Sequence, residues 1–193
     1  MKKRDCTAIV MGVSAGGLAA LSAILPNLSK HLDLPILIVQ HLSPDSDDFL
    51  ATHFNKICLL AVKEAEDKET IFKNTIYFAP ANYHLMVEQD KTIALSTAEP
   101  IQFSRPSIDV LFETAAEAYL DGLVGIILTG ANSDGTSGIR RIRQLNGFVI
   151  AQSPGTAQVD IMPSSAINLA GVDKILDLQG IAPYINQITV KET

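Results

Sequence analysis

The sequence predicts an α/β fold: a doubly wound, mainly parallel sheet with helices on both faces and an antiparallel β-hairpin at one edge. Two observations carry this. Continuous apolar runs rich in Ile and Val recur at 7–11, 35–39 and 123–129, the pattern of strands buried on both faces of a parallel sheet. Segments with helical spacing lie between them, as βαβ units require. A length of 193 residues suits one domain, 1–193, with a sizeable core.

The first strand, about Thr7 to Met11, enters the turn Gly12-Val13-Ser14-Ala15-Gly16-Gly17, and Gly17 to Leu25 continues as a helix that Pro26 and Asn27 break. Pro35 to Val39 is a second buried strand, ending in Gln40-His41. Phe49 to Asn55 forms a short helix, Cys58 to Val62 a strand, and Lys63 to Lys73 a charged connection. Thr75 to Ala79 is β-branched and aromatic, hence a strand. His84 to Val87 and Thr92 to Leu95 flank Gln89-Asp90-Lys91 and pair as the hairpin. A loop from Ser96 to Pro106 leads to Ser107, a good N-cap for a helix over Ile108 to Leu120 with Asp109 in its first turn. Leu123 to Thr129 is the most strand-like run, and it feeds nine small or polar residues, Gly130 to Gly138, before a helix over Ile139 to Leu145. Phe148 to Gln152 and Lys174 to Leu178 are the last strands, with a short helix after Pro163 between them and a closing helix over Ile181 to Ile188.

Composition narrows the function classes. A net charge of −6 argues against a nucleic-acid binder, and the one dense basic cluster, Arg140-Arg141 with Arg143, reads as a solvated helix face. No apolar run reaches the length of a membrane span, and Met1 to Asp5 lack a signal-peptide pattern, so a cytoplasmic protein without membrane insertion is expected. Cys6 and Cys58 are too few for a disulfide framework and are expected to be buried, inert thiols. Neither a metal nor a cofactor is implied. The turn around Ser14 lacks the second glycine and the downstream acid of a dinucleotide fingerprint. A closing glutamate of a calcium loop and a Gly-Lys-Ser/Thr phosphate loop are absent from 130–138.

The candidate chemistry lies at the strand ends. Parallel sheets bind ligands beyond the carboxyl ends of their strands, so Ser14, His41 and the polar loop containing Asp134 share one rim. A serine hydroxyl needs a base to take its proton, and the base needs a carboxylate to fix its tautomer. Gly12 and Gly16 relieve crowding in the turn, and the amides of Ala15 and Gly16, opening the helix, suit an oxyanion. Two plainer readings stand beside this one. The Gly-rich turn packs helix on strand, and Asp134 caps the helix that follows it. His31, His53 and His84 are expected to be surface or structural residues. The chain order Ser, His, Asp differs from that of α/β-hydrolases, chymotrypsin and subtilisin.

Five ordered motifs then carry a resemblance: Gly12-Val13-Ser14-Ala15-Gly16-Gly17, Val39-Gln40-His41-Leu42, Tyr77-Phe78-Ala79-Pro80 with His84-Leu85, Arg105-Pro106-Ser107-Ile108-Asp109-Val110-Leu111-Phe112, and Leu128-Thr129-Gly130 leading to Asp134-Gly135. Together they cover nearly the whole chain, and the set resembles the catalytic domain of CheB, the chemotaxis protein-glutamate methylesterase. The resemblance implies hydrolysis of glutamate γ-methyl esters on the cytoplasmic helices of methyl-accepting chemoreceptors or a related methylated signalling protein, often with glutamine deamidation. It places the nucleophile on Ser14, the base on His41 and the carboxylate on Asp134. Oxyanion donors are expected at Ala15 and in the loop of Gly130 and Ala131, and Arg105 either orients an acidic substrate helix or forms an ion pair at the base of the next helix. No receiver domain is expected in this chain, which leaves room for a separate regulatory protein. The loop reads Ala131-Asn132-Ser133 where the family commonly has Met-Gly and then Asn. The alternatives are a catalytically silent signalling module of the same fold and a serine esterase or amidase with an unrelated substrate.

Overall fold

A computed structural model describes residues 6–43 and 45–189; the leader reading at Met1 to Asp5 lies outside them. Seven parallel strands form one sheet in the order β3-β4-β2-β1-β7-β8-β9. They are β1 (Ala8–Val13), β2 (Ile36–Gln40), β3 (Ala61–Glu64), β4 (Thr75–Phe78), β7 (Leu123–Ile127), β8 (Phe148–Gln152) and β9 (Lys174–Leu176). The hairpin strands β5 (His84–Val87) and β6 (Ile93–Ser96) are present, but they pair with each other alone. The hairpin is therefore a separate two-stranded sheet lying against a helix, rather than an addition to the edge of the large one.

Strand alternation divides the core in two. Ile9, Met11 and Val13 face one side with Ile36 and Ile38, while Ala8 and Val10 face the other with Leu37 and Val39. Helices α1 (Gly17–Ile24), α2 (Phe49–Ile57) and α6 (Leu178–Thr189) cover the first side, and α3 (Ile108–Tyr119), α4 (Thr136–Gln144) and α5 (Ile161–Ser165) cover the second. Helix α1 buries Gly17, Ala20, Leu21 and Ile24, the spacing of a single helical face. Helix α5 runs on as a π-helix, Ala166–Ala170. Arg140 and Arg143 donate to its last carbonyls, those of Leu169 and Ala170, so the basic face of α4 ties down a neighbour as well as meeting water.

Several boundaries move. The first strand extends to Val13, and α4 begins at Thr136 because Gly135, at φ +92°, supplies the left-handed residue that starts it. Cys6 and Cys58 are half-buried rather than buried, since both lie at the margins of elements. Desolvation still pushes the Cys58 thiol up to about 11, which keeps it protonated at neutral pH. No helix among the described residues is long and apolar enough to cross a membrane.

Candidate active site

Sheet order decides where the site forms. β1 lies at the centre with β2 on one side and β7 on the other, so the chain winds away from β1 in both directions and leaves a crevice at its carboxyl end. Ser14 is the first residue past β1, and its N–H donates to Thr129 O at 3.0 Å across the β7 side. His41 is the first residue past β2, and its N–H donates to Val13 O at 3.1 Å. Register alone thus sets the two side chains next to each other.

Between them a hydrogen-bonded path runs from hydroxyl to carboxylate. His41 Nδ1 lies 3.2 Å from Ser14 Oγ, and His41 Nε2 lies 2.8 Å from Asp134 Oδ2. Asp134 is fully buried. Its Oδ1 accepts from the Ser107 hydroxyl (3.0 Å), Asp109 N–H (3.0 Å) and Gly135 N–H (2.9 Å), and its Oδ2 from Ile108 N–H (2.7 Å). Burial on its own raises this carboxyl, but the bonds from His41, Asp109 and Ile108 outweigh it and hold the group below the usual carboxylate value. An ionised Asp134 only accepts, so His41 Nε2 carries the proton and Nδ1 presents its lone pair to the Ser14 hydroxyl.

This arrangement changes two expectations. Asp134 does cap a helix, but it is α3: the carboxylate takes the N–H groups of Ile108 and Asp109, the first two of that helix. Ser107 occupies the N-cap position without capping through its side chain, because its hydroxyl is turned to Asp134. Asp109 is buried as well and accepts from Gly138 N–H (2.8 Å) and Gln102 Nε2 (3.3 Å). Burial pushes its carboxyl up to about 6. His84, buried at the same junction, takes Ser107 N–H on Nδ1 (3.1 Å) and lies 3.2 Å from Glu99 O through Nε2, a structural role. His53 stacks on Phe49, and His31 is exposed.

The oxyanion candidates divide. Among the described residues the N–H groups of Ala15, Gly16 and Ala131 have no protein acceptor, whereas Gly130 N–H is taken by Val159 O at 3.0 Å. Gly130 contributes differently. A Cβ there would collide with the terminal methyl of Met162 and come within 3.0 Å of Ser14 Cβ, so glycine lets this loop approach the serine. Arg105 faces no carboxylate among the described residues. Its Nε and Nη2 donate to Asn82 Oδ1 (3.0 and 2.6 Å) and Nη1 to Thr97 O and Ala98 O (2.7 and 2.9 Å), which makes it a brace for the loop after the hairpin.

Residues that sequence reasoning passed over complete the site. Gln40 is buried, and its Nε2 donates to the carbonyls of both Ser14 (3.0 Å) and His41 (2.9 Å), clamping the two turns together. Thr129 and Gln152 do the same for the β7 side: Gln152 Oε1 accepts Thr129 N–H at 3.0 Å, and Thr129 Oγ1 lies 2.8 Å from Ala15 O. A pattern in the chain points to all three, since each is a polar residue at the carboxyl end of an apolar strand run. A cavity of about 590 Å³ opens on Ser14, with Gln40, Leu42, Phe49 and Gln158 in its wall. A second, of about 310 Å³, opens on His41.

The model of the CheB methylesterase family matches residues 9–185. The chain belongs to that family. Relatives within CheB methylesterases include a putative protein-glutamate methylesterase/protein-glutamine glutaminase of Leptospira interrogans, 51% identical over 175 residues and covering 91% of each chain. The enzyme of that name from Halalkalibacterium halodurans is 40% identical over 184 residues, and there the match covers 94% of this chain but 53% of the relative. The CheB methylesterase catalytic domain of Thermotoga maritima superposes with a TM-score of 0.91 at 34% identity, covering 95% of this chain and 98% of that one. The CheB fold, a mostly parallel seven-stranded sheet with helices and a two-stranded antiparallel sheet, is thus shared.

Proposed function

We propose that the chain is a protein-glutamate methylesterase that hydrolyses γ-methyl esters on the cytoplasmic helices of chemoreceptors, with glutamine deamidation as its second reaction. Ser14 is the nucleophile, His41 the base and Asp134 the orienting carboxylate, within one catalytic unit that works in the cytoplasm. The unbroken path from Ser14 Oγ through the imidazole to Asp134, at 3.2 and 2.8 Å, carries this reading and favours turnover over a silent binding module.

In the mechanism His41 Nδ1 takes the proton of Ser14 Oγ as the oxygen attacks the ester carbonyl. The imidazolium is stabilised by Asp134, and the developing oxyanion by the free N–H groups of Ala15 and Ala131. His41 then returns its proton to the leaving methoxide, and methanol departs. Water, deprotonated by the same nitrogen, attacks the acyl-serine, and the imidazolium returns that proton to Ser14 Oγ as glutamate is released; with glutamine the first leaving group is ammonia.

The test is methanol release from a methylated receptor. Ser14→Ala is expected to lower kcat by about 10⁶-fold, with the unfolding midpoint of wild type. Release that survives the substitution overturns the triad. Labelling of Ser14 by a fluorophosphonate without release from any methylated receptor moves the enzyme to another ester, and receptor binding without release makes it a silent module.

A further inference from the structure

Beside the triad, a turn carries a feature that the chemistry leaves unused. Ile101 and Ser104 close a two-residue turn through hydrogen bonds in both directions, at 3.1 and 2.8 Å. Both central residues are left-handed, Gln102 at φ +46° and Phe103 at φ +64°. Glycine and asparagine enter that region at least cost, whereas a phenylalanine enters it against its steric preference. The turn is nevertheless pinned: Gln102 Nε2 donates to Asp109 Oδ2 at 3.3 Å, and its Oε1 accepts from the Ser133 hydroxyl at 3.1 Å. Ser133 is the residue before Asp134, and Asp109 N–H is one of the donors to the Asp134 carboxylate. Phe103 is thus held on the same scaffold as the triad, with its side chain fully exposed.

The position of that residue relates it to the site. Phe103 stands at the rim of the 310 Å³ cavity that His41 and Leu42 also line, and Leu42 lines the cavity that opens on Ser14, with Phe49 and Leu18 beyond it. Phe49 and Leu18 are themselves exposed, at 53% and 46%. Apolar side chains therefore stand in the walls of both cavities, which share Leu42, and exposed apolar surface beside a site marks a contact region. Because His41 also lines the Phe103 cavity, whatever seats there lies beside the base that serves Ser14. We propose that Phe103 anchors the substrate protein, packing on an apolar side chain that flanks the esterified glutamate and so selecting which glutamates reach Ser14. This rests on the methylesterase reading.

The test compares the full chain with Phe103→Ala and Phe103→Leu on two substrates, a methylated receptor and N-acetylglutamate γ-methyl ester. For Phe103→Ala, kcat/KM on the receptor is expected to fall by about tenfold or more through KM, a much heavier loss than on the small ester, with Phe103→Leu recovering most of it. Unchanged receptor kinetics overturn the proposal. Equal losses on both substrates also overturn it, since they make the turn a support for the triad. Faster receptor turnover in the variant overturns it as well, since the ring then hinders the substrate rather than anchoring it. A wild-type enzyme that hydrolyses the small ester but no methylated receptor fails the methylesterase reading itself, whereas normal wild-type turnover with indifferent variants fails this inference alone.

Discussion

Asp134 does two jobs with one carboxylate. It holds the proton-bearing Nε2 of His41, and it closes the amino end of α3 by accepting the N–H groups of Ile108 and Asp109. Asp134→Asn keeps the shape but replaces one acceptor oxygen by a donor, so part of this set loses its partner whichever way the amide turns. The expected outcome is a fall in kcat of about 10⁴-fold together with a lowered urea midpoint at pH 7. The pH dependence has a definite sign. A carboxyl held below its unfolded value contributes stability above the unfolded pKa, and that contribution is lost as pH falls through the folded one. The stability gap between wild type and variant, measured by urea titration, should therefore narrow as pH is lowered below about 4; a constant gap refutes the account. Ser14 and His41 are legible as candidates because each stands at the carboxyl end of an apolar strand run. The capping of α3 by Asp134 is not, because it links positions far apart in sequence that only the packing of α3 against α4 brings together.

At the scale of elements, the site is made by the ends of strands rather than by any one loop. Gln40, the last residue of β2, joins the turn after β1 to the turn after β2 by its two bonds to backbone carbonyls. Gln40→Leu removes both while keeping the volume, and misplacement of reacting groups by even an ångström is costly. We expect kcat to fall by about 10- to 100-fold with KM near that of wild type, measured on the small ester. A change confined to KM refutes the positioning role. The strands themselves were legible because buried parallel strands read as continuous apolar runs. The place of the hairpin was not: whether β5 and β6 join the large sheet depends on pairing with strands remote in sequence, and alternation along the hairpin looks the same in either case.

For the whole molecule, one sheet separates two apolar cores, and β1 is buried along its entire length. Amides there are expected to exchange with solvent only when the sheet opens as a whole, and those of edge strands β3 and β9 and of the separate hairpin through smaller openings. Native-state hydrogen exchange should show β1, β2 and β7 slowest and at a common free energy; β1 amides exchanging as fast as those of β5 refute this. The nucleophile and the base directly follow β1 and β2, the strands expected to open last, whereas the aromatic turn at Phe103 lies in the loop after the hairpin.

The shared duty of Asp134 also bears on how such a chain decays. A descendant relieved of selection for turnover can exchange its serine most freely, because that hydroxyl holds up no helix, whereas the imidazole is one of the partners of the buried acid. The acid has no such freedom. Among degenerate copies of this architecture the aspartate should be the last of the three to vanish, so its persistence testifies to an intact scaffold and says nothing about surviving catalysis.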